Sequence, residues 1–185
     1  MVLHVVLVGL MGSGKTTVGR RLAAHLQRDF VDADAALEQI TDRTIAEIFE
    51  LDGEARFRDL EEDTFEELLE HHEPTVIASG GGIVLRSANR ARLLRPEVTV
   101  VFLDAGPAFL ASRVEGKPHR PLLLGHEPTR EVLARLHDER APLYAEVADI
   151  TVAVEPFHDR EEKPKRALAR HIATLVADHE AQVTA

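Results

Sequence analysis

The chain has 185 residues, of which 44% are hydrophobic and 4% aromatic, and its formal net charge is −10. This length predicts a single domain, residues 1–185, with an aliphatic core, and the acidic charge argues against nucleic acid as a partner. The chain has no cysteine, no apolar run of the roughly 20 residues that a membrane span needs and no recognisable signal peptide, and we therefore expect a cytoplasmic protein without disulfides or thiolate metal sites.

The hydrophobic pattern predicts strands alternating with helices, without an internal repeat. Short apolar runs indicate strands, and apolar spacings of three and four indicate helices. Strands apolar on both faces are typical of a parallel sheet covered by helices, an α/β fold. In chain order we expect a strand at 3–8, a helix with apolar positions 18, 22, 23 and 26, a strand at 30–31, helices at 35–40, 45–51 and 54–72, a strand at 75–79, a helix at 87–94, a strand at 98–103, helices at 107–114 and 129–141, a strand at 150–154 and a helix at 165–177.

Residues 9–16, between the first strand and the first helix, read G-x-x-x-x-G-K-T, the phosphate-binding P-loop. Backbone N–H groups of such a loop and the helix N-terminus behind it surround phosphate oxygens. Lys15 is expected to reach the β- and γ-phosphates, and the Thr16 hydroxyl to ligate magnesium. The alternative is a chance glycine-rich turn, which the complete motif in its strand–loop–helix context disfavours.

Two further segments follow strands and therefore belong to the same edge of a parallel sheet. Asp32 and Asp34 follow the second strand, where alternation is expected to send both carboxylates to one side, suited to magnesium and a substrate hydroxyl. Capping of a helix by one aspartate is the alternative. Residues 80–82, three glycines, allow backbone N–H groups to approach a ligand closely, although an ordinary flexible turn is equally consistent.

The arginines and histidines give weaker signals. Arg58, spaced to pair with Glu61 on a helix, and Arg140 are expected by default to be solvated surface residues. Arg120 lies in a polar loop, residues 115–128, that is able to close over phosphates. The histidines show no metal-ligand spacing and are interpreted as surface residues.

Together these motifs resemble the shikimate kinase family, over the chain to about residue 171. The matching motifs are the P-loop, Asp32-x-Asp34, Phe57-Arg58 with Glu61-Glu62, Ser79-Gly80-Gly81-Gly82, Arg120-Pro121-Leu122-Leu123 and Arg140-Ala141-Pro142-Leu143-Tyr144. The resemblance implies a monomer with the three-layer αβα P-loop fold of nucleoside monophosphate kinases, a five-stranded parallel sheet, a substrate-binding region at about 34–61 and a mobile lid at about 115–128. The implied reaction is phosphorylation of the shikimate 3-hydroxyl by ATP, giving 3-phosphoshikimate and ADP, in aromatic amino-acid biosynthesis.

The resemblance also implies roles for individual residues. Lys15, Asp34 and Arg120 are the implied catalytic residues, with Asp34 as the base and Arg120 neutralising the transferred phosphate. Arg58 and Arg140 are expected to bind the shikimate carboxylate. The implied ATP-binding residues are Gly12, Ser13, Gly14, Lys15, Thr16, Thr17, Arg113, Arg120 and Pro164; the substrate-binding residues are Asp34, Arg58, Gly80, Gly81, Gly82 and Arg140; Mg²⁺ is held by Thr16 and, through water, by Asp32.

Two other functions remain open from the sequence. A gluconate-kinase-like enzyme would also use arginines to hold a small hydroxy acid. A nucleotide-dependent switch that binds a protein partner would need no small acceptor, but the chain contains no guanine-reading N-K-x-D run.

Overall fold

Five parallel strands form the centre of the computed structural model, which describes residues 4–114, 127–158 and 163–183. The strands are β1 (His4–Val8), β2 (Asp29–Asp32), β3 (Thr75–Ala78), β4 (Val98–Asp104) and β5 (Ile150–Ala153). The helices are α1 (Lys15–Leu26), α2 (Ala33–Thr41), α3 (Ile45–Leu69), α4 (Ser87–Leu93), α5 (Pro107–Val114), α6 (Thr129–Val147), α7 (Glu155–His158) and α8 (Pro164–Val183), with a 3₁₀ turn at Ile83–Leu85.

The strand order is β2-β3-β1-β4-β5, and helices flank the sheet. The central strand β1 is buried along its whole length, with Val6 level with Ile77 of β3 and Val100 of β4. Because β2, β3 and β1 are neighbours and parallel, the segments that follow them meet at one edge, where ligands bind in such sheets. The predicted α/β fold is confirmed.

A capping box and a glycine break divide α3. The Thr44 hydroxyl accepts from the Glu47 N–H at 3.2 Å, and Glu47 Oε2 accepts from the Thr44 N–H at 2.7 Å. Gly53 has φ +79° and ψ 172°, which interrupts the helix where the sequence predicted a separation. The longer second half carries Phe57 and Arg58 to the carboxyl edge of the sheet.

Helices α6 and α8 extend well past their predicted ends, and α3 ends at Leu69 rather than at residue 72. The helix predicted to end near residue 141, before Pro142, continues to Val147 because Tyr144 and Val147 lie on its buried face. Similarly, α8 extends past residue 177 to Val183. Its last turns are held by Glu180, which accepts two hydrogen bonds from the Arg28 guanidinium, at 2.8 and 2.7 Å. The short helix α7 and the 3₁₀ turn were not predicted.

Residues 115–126 of the predicted lid, including Arg120, lie outside the described residues. Within the described ranges, no helix is both long and apolar enough to cross a membrane.

The interpretation of all histidines as surface residues is wrong for His4. His71 and His72 are exposed, but His4 in β1 is only 1% exposed, with Nδ1 lacking a hydrogen-bond partner among the described residues. Burial lowers the pKa of His4 and outweighs a hydrogen bond with the His71 backbone, which raises it.

This buried imidazole predicts a loss of stability in mild acid. Because the pKa of His4 is lower in the folded protein than its ordinary value of 6.5, the unfolded chain takes up the proton first as pH falls through 6.5, and the free energy of unfolding falls with it. His4→Val removes this titration. Chemical denaturation of parent and variant between about pH 7 and pH 5 should show the parent losing more stability than the variant. If the difference in unfolding free energy between parent and variant does not change with pH, His4 does not cause the acid sensitivity.

Candidate active site

The P-loop, residues 9–16, begins where β1 ends. Gly9, Gly12 and Gly14 have φ of 138°, 89° and 100°, a backbone region that side-chain-bearing residues rarely adopt. Lys15 begins α1, and its Nζ donates to the carbonyl oxygens of Gly9 at 2.7 Å and Leu10 at 3.1 Å. The ammonium group therefore lies across the loop, in position to meet phosphate oxygens.

Two hydroxyl groups complete the loop. Ser13 Oγ is buried and has no hydrogen-bond partner among the described residues, as expected of a donor meant for a ligand. Thr16 Oγ1 donates to Asp32 Oδ2 at 2.7 Å. Hydroxyl and carboxylate oxygens are the ligands that Mg²⁺ prefers, and it commonly takes only one or two from the protein. The residues thus fit the implied ion, and the described ranges hold no cluster of three or more metal-binding side chains.

The aspartate pair is arranged differently from the prediction. Alternation along a strand does not apply, because β2 ends at Asp32 and Asp34 already lies in the first turn of α2. Asp32 also caps this helix by accepting from the Ala35 N–H at 3.4 Å. The capping alternative is therefore confirmed for Asp32, which nonetheless contacts Thr16.

Asp34 is half-buried beside the glycine turn, residues 80–82. A Cβ atom at Gly80 would lie 2.9 Å from Asp34 Oδ1 and 2.5 Å from Glu61 Oε1. Burial, followed by the charges of Asp32 and Glu61, raises the pKa of Asp34 to about 6, against a smaller opposing effect of Lys15. Such a carboxylate is ionised at neutral pH yet basic enough to accept a proton.

The default expectation of a solvated Arg58 is wrong, since the residue is only 7% exposed. Its Nη1 donates to Glu61 Oε2 at 2.6 Å and its Nη2 to Glu54 Oε1 at 3.0 Å, while the guanidinium carbon lies 4.9 Å from the Phe57 ring centroid. The guanidinium group occupies the space that a Cβ at Gly82 would need. Burial raises the pKa of Glu61, opposed by the charge of Arg58.

Arg140 also departs from the surface expectation, at 3% exposed. It lies on α6, and its Nη1 donates to the Gly81 carbonyl oxygen at 3.0 Å. The Tyr144 hydroxyl donates to the same oxygen. Tyr144 and Glu61 were not among the predicted site residues. The signals that point to them are the spacings Arg58–Glu61 and Arg140–Tyr144, three and four positions on a helix.

The glycine turn is a steric necessity rather than a flexible link. None of its residues has positive φ, but Gly80 lies against Asp34 and Glu61, and Gly82 against Arg58. No hydrogen bond from an N–H of the turn is formed within the described part of the chain. These donors remain available to a ligand.

The structure gives the positions of the other predicted ATP-binding residues, Arg113, Thr17 and Pro164. Arg113 Nε donates to the Gly12 carbonyl at 3.1 Å, so α5 contacts the P-loop. Thr17 lies in the first turn of α1, and Pro164 begins α8 just after residues 159–162, which are outside the described residues. Their nucleotide contacts stay predictions.

A P-loop at the end of β1, with acidic and arginine side chains at the same sheet edge, defines a P-loop kinase. The family model for shikimate kinase matches residues 11–176. A shikimate kinase of Paracidovorax citrulli is 43% identical over 172 residues, covering 92% of this chain and 90% of that protein. The protein described here belongs to the shikimate kinase family, which confirms the resemblance inferred from the motifs.

Solved structures agree with this assignment. A structure of shikimate kinase from Acinetobacter baumannii in complex with shikimate has a TM-score of 0.87 and 36% identity, covering 97% of this chain and 95% of that chain. A shikimate kinase structure from Bacteroides thetaiotaomicron has a TM-score of 0.84 and 30% identity, covering 95% and 98%. The P-loop kinase fold with its five-stranded parallel sheet is common to them.

Proposed function

We propose that this protein transfers the γ-phosphate of ATP to the 3-hydroxyl of shikimate, giving 3-phosphoshikimate and ADP in aromatic amino-acid biosynthesis. Family membership supports the reaction. The structural observation that carries it is the burial of Arg58 and Arg140 against one glycine turn beside the P-loop. Two buried guanidinium groups beside a phosphate-binding loop suit an acceptor that is itself an anion.

The arginines are proposed to hold the shikimate carboxylate. A guanidinium fork matches the two oxygens of a carboxylate, which fixes direction as well as position. Arg58 is itself held by Glu61 and Glu54, so its orientation is set before the ligand arrives. The N–H groups of Gly80, Gly81 and Gly82, which donate to no other described residue, would supply further donors. An acid with several hydroxyl groups needs such an anchor if only one hydroxyl is to react.

Asp34 is proposed to hold the reacting hydroxyl and accept its proton. It lies beside Gly80 and within the electrostatic influence of Lys15, so acceptor and phosphate sites adjoin. Lys15, with the Ser13 hydroxyl and the N–H groups of Gly12, Gly14, Thr16 and Thr17, would hold the phosphates of ATP. Thr16 and, through water, Asp32 would hold Mg²⁺, which would supply positive charge against the phosphates.

Arg120, from the segment outside the described residues, is proposed to neutralise the transferring phosphate when the lid closes. Arg113 and Pro164 are proposed to flank the adenine, supported for Arg113 by its contact with Gly12. The enzyme is proposed to act as a monomer. ATP as donor suits the cytoplasm, the proposed location.

A coupled assay of ADP release tests the function. With Mg²⁺ and ATP, shikimate should accelerate ADP release strongly, because productive transfer requires an acceptor held beside the phosphates. Gluconate, and a mixture without acceptor, are the controls; the product is identified as 3-phosphoshikimate by phosphorus NMR. Equal ADP release with and without shikimate from folded protein contradicts the proposal, and preference for gluconate favours the alternative kinase.

A further inference from the structure

Two side chains of α6 converge on one backbone oxygen in the glycine turn. Arg140 Nη1 and the Tyr144 hydroxyl both donate to the Gly81 carbonyl. The two residues are four apart, so they share a face of the helix. Tyr144 is 1% exposed, and its ring packs on Phe102 with centroids 5.1 Å apart. A ring fixed in this way holds its hydroxyl at a defined place.

The direction of the Gly81 carbonyl determines the direction of the next N–H. The structure contains no cis peptide bond among its described residues, so the Gly82 N–H points opposite to the Gly81 carbonyl, away from α6. Gly82 is also the residue that contacts the Arg58 guanidinium. Three consecutive glycines have wide backbone freedom, and a restraint from outside the turn is needed to keep one orientation.

Arg140 alone is a poor restraint if it must also bind the acceptor. Its Nε is buried without a hydrogen-bond partner in the described ranges, and its Nη1 donates to Gly81. A ligand that draws the guanidinium toward itself would weaken the hold on the carbonyl. The tyrosine hydroxyl donates to the same oxygen and is anchored by its own packing.

We propose that Tyr144 is a positioning residue for the acceptor acid: its hydroxyl fixes the Gly81 peptide so that Arg140 and the turn N–H groups stay aimed at the carboxylate. The inference rests on the proposed function and adds a residue that does not itself touch the substrate. Burial also raises the pKa of Tyr144, so the hydroxyl keeps its proton and donates throughout the neutral range.

Tyr144→Phe tests the proposal because it removes only the hydroxyl and keeps the ring on Phe102. The KM for shikimate should rise about fivefold, the equivalent of roughly 1 kcal/mol for one net hydrogen bond. Values of kcat and of KM for ATP should stay within twofold of the parent, about 0.4 kcal/mol, because the phosphate site and Asp34 are unchanged.

Thr75→Val is the matched control. Thr75 Oγ1 also donates to a backbone carbonyl, that of Glu73 at 2.9 Å, but at the opposite end of β3 from the glycine turn. Both variants remove one hydroxyl hydrogen bond, and their thermal unfolding midpoints are measured alongside. The control should lower stability without changing the KM for shikimate. This comparison separates a positioning role of the hydroxyl from a general loss of stability.

The outcomes are distinct. A shikimate KM changed less than twofold in folded Tyr144→Phe, or raised equally in Thr75→Val, overturns the positioning role while leaving the kinase assignment intact. A parent protein without shikimate-dependent ADP release overturns the proposed function itself, whatever the variants show.

Discussion

Replacing Asp34 with Asn should lower kcat by about 10²–10⁴ if proton acceptance contributes fully. The amide keeps the size of the side chain and some hydrogen bonding beside Gly80, but it removes the charge and the base. In a loose phosphoryl-transfer transition state the proton leaves late, so we expect the lower end of this range. Single-turnover rates measure the effect of the substitution on phosphoryl transfer, and shikimate binding measures its effect on acceptor affinity.

The pH profile provides the control for this variant. Because the pKa of Asp34 is raised to about 6, kcat/KM of the parent should fall as pH falls through about 6, where the carboxylate takes up a proton. The Asn variant should lack that limb. Asp29→Asn changes an exposed carboxylate at the other end of β2 and should leave rate and profile unchanged. Near-parental turnover of Asp34→Asn would reduce Asp34 to a helix-terminal residue without a catalytic role.

Replacing Arg58 with Ala should weaken shikimate binding roughly 30- to 4,000-fold while leaving ATP binding nearly unchanged. Truncating one partner of a desolvated charge pair costs about 2–5 kcal/mol, which converts to this range. Arg58→Lys should recover only part of the affinity, because an ammonium group cannot make the two-pronged contact. Isothermal titration with shikimate and with an ATP analogue measures both effects.

Stability must be followed in the same experiment. Removing Arg58 leaves Glu61 buried without its 2.6 Å partner, which destabilises the fold independently of ligand. Arg92→Ala is the matched control, because Arg92 is also largely buried and ion-paired, with Glu66 at 2.6 Å, but lies on α4 outside the glycine turn. If Arg58→Ala keeps shikimate affinity within about threefold, roughly 0.7 kcal/mol, the anchor assignment is wrong.

The framework of the fold was predictable because its signals are local. Apolar runs and the P-loop glycines each act within a few residues, and both appear where the sequence indicated. The meeting of the P-loop with the aspartates and the glycine turn also followed, since parallel strands present their carboxyl ends at one edge.

The burial of individual side chains depends on contacts with residues distant in the sequence, so local residue spacing did not predict it. Arg58 is buried only because Gly82, 24 positions later, leaves room for its guanidinium, and no local pattern reports that space. Helix α6 passes Pro142 because the burial of Tyr144 and Val147 outweighs the loss of one backbone donor. His4 is buried because β1 is the central strand, a property of sheet order rather than of its own neighbours.

The position of Tyr144 has a spectroscopic consequence. The chain contains one tyrosine and no tryptophan, so all phenolic absorption and emission of the protein originates from a side chain that donates to the Gly81 carbonyl. Near-ultraviolet circular dichroism and tyrosine fluorescence therefore report the surroundings of the Gly81 carbonyl without an attached dye. A ligand that disturbs the Gly81 peptide should therefore change the tyrosine signals of the unmodified protein.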